Sequence, residues 1–213
     1  MTPGRSPLWR TTLIGHISLI CPILSNKKMK RYTYYIIILL SAVFFTGCGE
    51  AENEYSDYPC LFRFDNTGNK SPALASAINS MSPGIFCCIS VEGDYYRFTT
   101  NQGLSDRVPK TWIAQQATTI LGQYPAYGII VGYGTLRVSN AKIDAYDSLC
   151  PNCLDNEGLY KKISMASDGT AECPECHRKY DMNNGGLVIS DEGGKRLIYY
   201  NATSNGTVLY VNN

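Results

Sequence analysis

The chain has 213 residues, of which 19 are basic and 18 acidic, giving a formal net charge of +1 at pH 7. This length accommodates one domain, with room for a subdomain. The near-neutral charge argues against a nucleic-acid partner bound through a broad basic face.

A secretory leader is predicted near the N-terminus. Basic residues 27–31 precede an apolar run, residues 34–45, and then Thr46-Gly47-Cys48. This order is typical of a secretory signal, and the apolar run is shorter than the roughly 20 residues that a membrane span needs. Its end resembles the bacterial lipobox, whose cysteine is lipidated and becomes the mature N-terminus. The resemblance implies a signal peptide over residues 29–47 and a lipid on Cys48.

Residues 1–28 do not fit a signal peptide, and our hypothesis is that translation begins at Met29. Residues 48–58 are predicted to form an acidic tether behind the lipid, similar to the surface-export signal of some Bacteroidetes lipoproteins. From Cys48 onward, 18 acidic residues against 13 basic ones give a net charge of −5. We therefore expect a chain held at the outer membrane by its lipid, facing the periplasm or the cell surface, with no nucleic-acid partner.

Residues 59–213 are predicted to form a mainly β domain, as a small sandwich or barrel. The strand-like runs are β-branched or aromatic and are separated by Gly, Asn and Pro turns. They cover residues 60–64, 85–91, 95–100, 128–133, 136–138, 160–165, 170–173, 186–190, 197–201 and 207–211. One short helix is predicted over Pro109–Leu121, with Pro at its start and Gly122 just past its end, and a shorter helical turn over residues 72–78.

Three further cysteines lie outside the C-terminal motifs described next. In a secreted chain, Cys60 can pair with Cys87 or with Cys88. Neighbouring residues of a strand point to opposite faces, so at most one of these two can be its partner. The alternative is that all three are buried free thiols.

Two Cys-x-x-Cys motifs dominate the last third of the chain. The first motif is Cys150-Pro-Asn-Cys153 and the second is Cys173-Pro-Glu-Cys176, with 19 residues between them. This spacing is typical of a site in which four thiolates bind one metal centre. Pro151 and Pro174 fix φ, which lowers the entropy lost when the motifs are ordered. Two disulfides, a redox-active dithiol and free buried cysteines are the alternatives.

The residues around the motifs resemble a Rieske domain over about residues 126–213. Ala145-Tyr146 precedes the first motif, Cys-Pro opens the second, and Tyr180-Asp181 follows it. A glycine turn, a Leu-x-x-Tyr strand and a last strand complete the order. The resemblance implies a Rieske-like β-sandwich or barrel, with a zinc-ribbon-like two-loop metal subdomain over about residues 145–185.

The ligands differ from those of that family. Rieske centres take one Cys and one His from each loop, whereas Cys153 and Cys176 stand where the histidines would be. The first loop is also one residue longer. His177 lies one place beyond the ligand position and is the only histidine after the leader, so a site with two histidines cannot form. We expect its side chain to be solvated.

Four thiolates suit zinc, a single iron or an all-cysteine 2Fe-2S cluster. Zinc has no redox chemistry to interfere in an oxidising compartment, so it is our first choice, with iron or a 2Fe-2S cluster as the alternative. The four sulfurs should then lie within roughly 4 Å of one another.

Common enzyme signatures are absent from the sequence, including a phosphate-binding glycine loop, a Gly-x-Ser-x-Gly elbow and a His-Glu-x-x-His motif. Two function classes remain. The first is a non-catalytic envelope lipoprotein stabilised by zinc, and the second is an electron carrier with iron in the same site. No protein partner or substrate follows from the sequence.

Overall fold

The computed structural model describes residues 35–36, 55–113, 118–136, 142–191 and 193–213. The chain divides into two compact units, Met1–Glu52 and Asn53–Asn213. In the first unit, Tyr35 and Ile36 are described and are helical. No helix within the described ranges has the length and apolar character that crossing a membrane requires. The lipobox and Cys48 lie outside the described residues.

The second unit is mainly β, as predicted. Its strands are β1 (Leu61–Asp65), β2 (Phe86–Glu92), β3 (Tyr95–Thr100), β4 (Ser105–Pro109), β5 (Ile129–Gly132), β6 (Asp144–Asp147), β7 (Ser164–Met165), β8 (Thr170–Glu172), β9 (Lys179–Asp181), β10 (Leu187–Val188), β11 (Tyr199–Ser204) and β12 (Val208–Asn212). Two α-helices are described in this unit, α1 (Pro72–Ala77) and α2 (Pro151–Glu157).

Eight strands form one antiparallel sheet in the order β1-β12-β11-β6-β5-β2-β3-β4. The sheet is curled, because its first strand packs against its seventh. The Phe62 ring lies 5.7 Å from that of Tyr96, and the Phe64 ring lies 5.1 Å from that of Phe98. The curl encloses the larger of two hydrophobic clusters.

The central strands are buried on both faces, which explains why β2 and β5 have almost no polar residues. Cys87 and Ile89 face the enclosed cluster. Phe86 and Cys88 point the other way, into a second buried cluster. Strand β3, by contrast, alternates exposed or half-buried residues with buried ones, as expected for a strand with one solvated face.

The remaining strands form a small antiparallel sheet in the order β10-β9-β8-β7. Along the chain it lies between β6 and β11 of the large sheet. Strands β7–β9 fall within residues 145–185, which are predicted to hold the metal subdomain, and β10 lies just past them. The second buried cluster contains residues of both sheets together with three of the four motif cysteines. The small sheet and the cysteine motifs therefore share one core.

The helix predicted over Pro109–Leu121 is wrong. Strand β4 runs through Pro109, a single 3₁₀ turn follows at Lys110–Trp112, and Ile113 is extended. Ile120 exchanges two backbone hydrogen bonds of 2.8 Å with Leu61 of β1. Residues 114–117 lie outside the described part. The backbone groups of Ile120 are thus satisfied by a strand instead of by a helix.

The helical turn predicted over residues 72–78 is confirmed as α1. The Ser71 hydroxyl accepts a hydrogen bond of 3.0 Å from the Leu74 N–H, and Pro72 is the first helical residue. Both features are typical of a helix start. Ala73, Leu74 and Ala77 are buried and belong to the larger cluster.

Candidate metal centre

The first cysteine motif lies where a short helix begins. Cys150 is the N-cap of α2, Pro151 is its first residue, and Cys153 follows in its first turn. Proline is favoured there because its φ suits the helix and no donor is needed. The helix continues to Glu157, and Gly158 ends it at φ +65°.

The second motif forms the turn between β8 and β9. The Cys173 N–H donates to the Arg178 carbonyl and the His177 N–H donates to the Cys173 carbonyl, both at 3.0 Å. His177 adopts a left-handed conformation at φ +55°. Its side chain is 73% exposed and lies near Glu172, away from the cysteines. His177 is therefore part of the turn and not of the sulfur cluster.

The sulfurs of the two motifs converge. Cys150 Sγ lies 3.6 Å from Cys176 Sγ, and Cys153 Sγ lies 3.6 Å from Cys173 Sγ. All four lie within 4.8 Å of one another, a little looser than predicted. A tetrahedral ion with metal–sulfur bonds near 2.3 Å would separate them by about 3.8 Å. The four cysteines are close enough to hold a metal ion.

Comparisons with family models and with curated proteins assign no family to the chain. No family model matches the chain. A search of curated proteins also found no match.

Hydrogen-bond donors surround the sulfurs. The backbone N–H groups of Glu175 and Cys176 point at the sulfur of Cys173. The backbone and side chain of Arg178 hydrogen-bond to the sulfur of Cys176. Hydrogen bonds of this kind stabilise a sulfur that carries negative charge.

The surroundings shift the pKa values of the thiols in different directions. Burial raises the pKa of Cys153 and the pKa of Cys173. Burial also opposes ionisation of Cys176, but the hydrogen bonds from Arg178 and from neighbouring thiols outweigh it and lower its pKa to about 7. Four thiolates this close would repel one another, and a bound cation removes that repulsion. The donor set therefore fits a metal ion.

An ion pair connects the two motifs at the surface. Lys161 Nζ lies 2.6 Å from Glu175 Oε2. The Lys161 carbonyl also accepts a hydrogen bond of 2.8 Å from the Cys150 N–H. Both charged side chains are more than a third exposed, so this pair stabilises the site only slightly.

A segment that sequence reasoning missed, residues 193–195, contacts the first motif and the β8–β9 turn that contains the second. The Gly193 carbonyl accepts a hydrogen bond of 2.8 Å from Arg178 Nε. Lys195 Nζ lies 2.8 Å from the Asp155 carboxylate of α2. A Cβ on Gly194 would lie 2.4 Å from Asn152 Oδ1. The one sequence signal was the Gly-Gly pair, which indicates a turn and does not indicate what the turn touches.

Three further cysteines of the described residues are not part of the four-sulfur group. Cys60, Cys87 and Cys88 are buried free thiols in the structure. Cys60 and Cys87 belong to the larger cluster, and Cys88 belongs to the second. Burial raises the pKa of Cys60 to about 12 and that of Cys87 well above its usual value. The predicted disulfide stays a prediction, and Cys87 is the partner that shares a core with Cys60.

Proposed function

We propose that this protein is an envelope-anchored lipoprotein whose Rieske-like β domain holds one structural zinc ion and has no catalytic role. The ligands are Cys150, Cys153, Cys173 and Cys176. The proposal is carried by the convergence of these four sulfurs within 4.8 Å. Four protein thiolates are the ligand set of structural zinc, and they leave no open position for a substrate.

The compactness of the cluster favours one metal ion over a binuclear one. In an all-cysteine 2Fe-2S cluster, each iron takes two of the four thiolates. Thiolates on different irons are then farther apart than those on one ion. Here the close contacts at 3.6 Å join Cys150 to Cys176 and Cys153 to Cys173, and no two of the four sulfurs are more than 4.8 Å apart.

The small sheet has the features of a subdomain that needs such a centre. Strands β7 and β10 have two residues each, and β8 and β9 have three. These four strands have two fully buried side chains, Ala171 and Tyr180. Domains with so little buried area depend on metals or other cross-links. When bound, the metal supplies cross-links between α2 and the β8–β9 turn.

The second candidate is an electron carrier with iron in the same site. It is favoured by one observation: Cys176 is only partly buried, while the other three cysteines are buried. A partly exposed ligand gives a redox partner a short path to the centre. Hydrogen bonds to the sulfurs, such as those of Arg178 and Glu175, are among the features that set the potential of an iron–thiolate centre.

The membrane is the proposed partner, through a lipid on Cys48. The support is the order of basic, apolar and small residues over residues 29–48. The described part of the tether begins at Tyr55, whose ring stacks on that of Tyr199 at 5.5 Å. The Ser56 N–H donates to the Tyr199 carbonyl at 2.8 Å. A lipid on Cys48 would therefore be about seven residues, at most about 25 Å of chain, from the domain surface.

Metal analysis of protein purified from its own host tests the proposal. We expect one equivalent of zinc per chain and no visible absorption. One equivalent of iron with thiolate absorption in the visible would favour the electron carrier instead. Cys173→Ser should lose the metal, whereas Cys88→Ser, a buried cysteine outside the site, should retain it. Two disulfides and no metal would refute both candidates.

A further inference from the structure

A chain of hydrogen bonds links the Gly193–Lys195 segment to one sulfur of the site. The Lys195 N–H donates to Asn152 Oδ1 at 2.9 Å, and Asn152 Nδ2 donates to the Lys195 carbonyl at 2.9 Å. The same nitrogen donates to Tyr180 Oη at 3.0 Å. Tyr180 Oη lies 3.1 Å from Cys150 Sγ. Asn152, Tyr180 and Cys150 are buried, so the Asn152–Tyr180 and Tyr180–Cys150 contacts are shielded from water.

The direction of each bond follows from the Lys195 backbone. A backbone N–H only donates and a carbonyl only accepts, so the two bonds to Lys195 determine which end of the Asn152 amide is oxygen. The amide nitrogen then faces Tyr180, whose hydroxyl oxygen must accept. The hydroxyl proton of Tyr180 is left to point at Cys150. A metal-bound thiolate has no proton of its own, so it accepts.

We propose that Asn152 is a positioning residue that turns the Tyr180 hydroxyl proton toward the Cys150 sulfur and thereby slows the loss of the bound metal. The inference rests on the metal site proposed above. A hydrogen bond to a thiolate ligand holds it in place and withdraws negative charge from it. Asn152 touches no sulfur within hydrogen-bond distance and acts through Tyr180.

The Gly193–Lys195 segment also positions a donor to Cys176, the cysteine whose sulfur lies next to that of Cys150. Arg178, whose Nε donates to the Gly193 carbonyl, also hydrogen-bonds to the Cys176 sulfur. Cys150 and Cys176 are the two sulfurs 3.6 Å apart. One backbone segment thus orders the side-chain donors of both ligands, but Asn152 serves only the donor to Cys150.

Cobalt(II) loaded into the purified full chain tests the proposal, because its sulfur-to-cobalt absorption reports the charge on the thiolates. Tyr180→Phe should shift this band to lower energy. Asn152→Asp should shift it in the same direction, because an aspartate accepts the Tyr180 proton and turns it away from Cys150. In the double variant Asn152→Asp/Tyr180→Phe the band should lie where Tyr180→Phe alone places it.

Two further variants separate positioning from packing and charge. Asn184→Asp adds the same charge at an exposed position, and its band should not move. In Asn152→Leu the new side chain has a similar size but cannot form hydrogen bonds, so the cobalt band should shift less, in the same direction. This variant also serves as the test if Asn152→Asp does not fold. Both Asn152 variants should release zinc to a chromophoric chelator about 10-fold or more faster than the unsubstituted chain.

The outcomes are distinct. An unmoved band and an unchanged zinc release rate in both Asn152 variants would overturn the proposal, as would a shift that adds fully to that of Tyr180→Phe. If the unsubstituted chain took up no cobalt, the band would be absent from every variant. That result would overturn the proposed metal site, and the role of Asn152 with it.

Discussion

Tyr200 donates a hydrogen bond of 2.8 Å to Asp147 Oδ2, and both residues are fully buried. Asp147 also accepts the backbone N–H groups of Gln123 and Leu149, each at 2.9 Å. Leu149 directly precedes the first cysteine motif. The Asp147 carboxylate thus connects strand β11 and residues 121–123 to the backbone that places Cys150.

Tyr200→Phe should destabilise the fold at neutral pH by about 1.5–3 kcal/mol, the usual contribution of a hydrogen bond to a charged group. The substitution removes the hydroxyl donor and leaves a buried carboxylate with two hydrogen bonds instead of three. Urea unfolding measures the change. Tyr210→Phe on the adjacent strand is the control, because Tyr210 is 38% exposed and its loss should change stability by less than about 0.5 kcal/mol.

The effect of Tyr200→Phe should depend on pH. Burial raises the pKa of Asp147 despite the hydrogen bonds that oppose it, so the folded state binds its proton more tightly than the unfolded state. The contribution of Asp147 to stability is therefore fully present below the unfolded pKa and is lost as the pH rises through the folded pKa. Without the Tyr200 hydroxyl this pKa rises further. The difference between variant and unsubstituted chain should shrink as the solution is acidified, and a difference that grew in acid would contradict this account.

Gly194→Ala should disrupt the 193–195 segment, which contacts the first motif and the β8–β9 turn. Gly194 has φ +128°, and a Cβ there would lie 2.4 Å from Asn152 Oδ1. Gly193→Ala is the matched control, because Gly193 has φ +62° and no atom within 4 Å of its Cβ position. We expect Gly193→Ala to cost about 1–2 kcal/mol from backbone strain alone. Gly194→Ala should cost clearly more in thermal or urea unfolding; equal costs would mean that the contact with Asn152 relaxes freely.

The sequence predicts the two motifs and the strands best, because both signals are local. The spacing of Cys150, Cys153, Cys173 and Cys176 indicates one cluster, and the structure brings these four sulfurs together. Strand β3 occupies the predicted residues 95–100. Most other predicted strands overlap observed ones, with ends displaced by at most four residues. The run over residues 136–138 lies largely outside the described part.

The features that the sequence does not predict depend on contacts between residues far apart in the chain. Pro109 and Gly122 flank residues 109–121 as the ends of a helix would, but the partner of Ile120 is Leu61 of β1, which no local pattern reveals. Strands β4 and β6 are not among the predicted strands. They contain polar residues that do not favour a strand, and they are strands because they pair with β3 and β5. No local pattern indicates the role of Asn152, because its hydrogen-bond partners Tyr180 and Lys195 are 28 and 43 residues away in the sequence.

Cys48→Ser should abolish lipid attachment. If the lipobox is correct, the cysteine thiol is the only group that can take the lipid, and serine leaves an unprocessed precursor. Membrane fractionation and intact-mass measurement test this prediction. Cys60→Ser is the control and should be processed normally. Normal maturation and membrane attachment of Cys48→Ser would refute the anchor.

Removal of the metal should loosen the small sheet before the large one. In small zinc modules, metal binding contributes about 10–16 kcal/mol at neutral pH, most of it to folding. Here the large sheet and its enclosed cluster stabilise the domain independently, so the loss should be smaller, several kcal/mol. We expect Cys173→Ser, or a strong chelator, to expose residues 145–185 to proteolysis and hydrogen exchange, while residues 59–125 remain more protected.

The pattern of protection distinguishes an ion that stabilises the fold from an ion that serves electron transfer. Strands β7–β10 contribute few buried side chains, and the cysteines themselves form part of the second cluster. Without the metal, four thiols replace a cross-linked centre in that core, and the Cys150 sulfur, which lies 3.1 Å from Tyr180 Oη, is no longer held by an ion. Cys88→Ser, in the same cluster but outside the metal site, should leave residues 145–185 as protected as before. Unchanged protection of residues 145–185 after verified metal removal would show that the ion is not structural, and would favour the electron carrier.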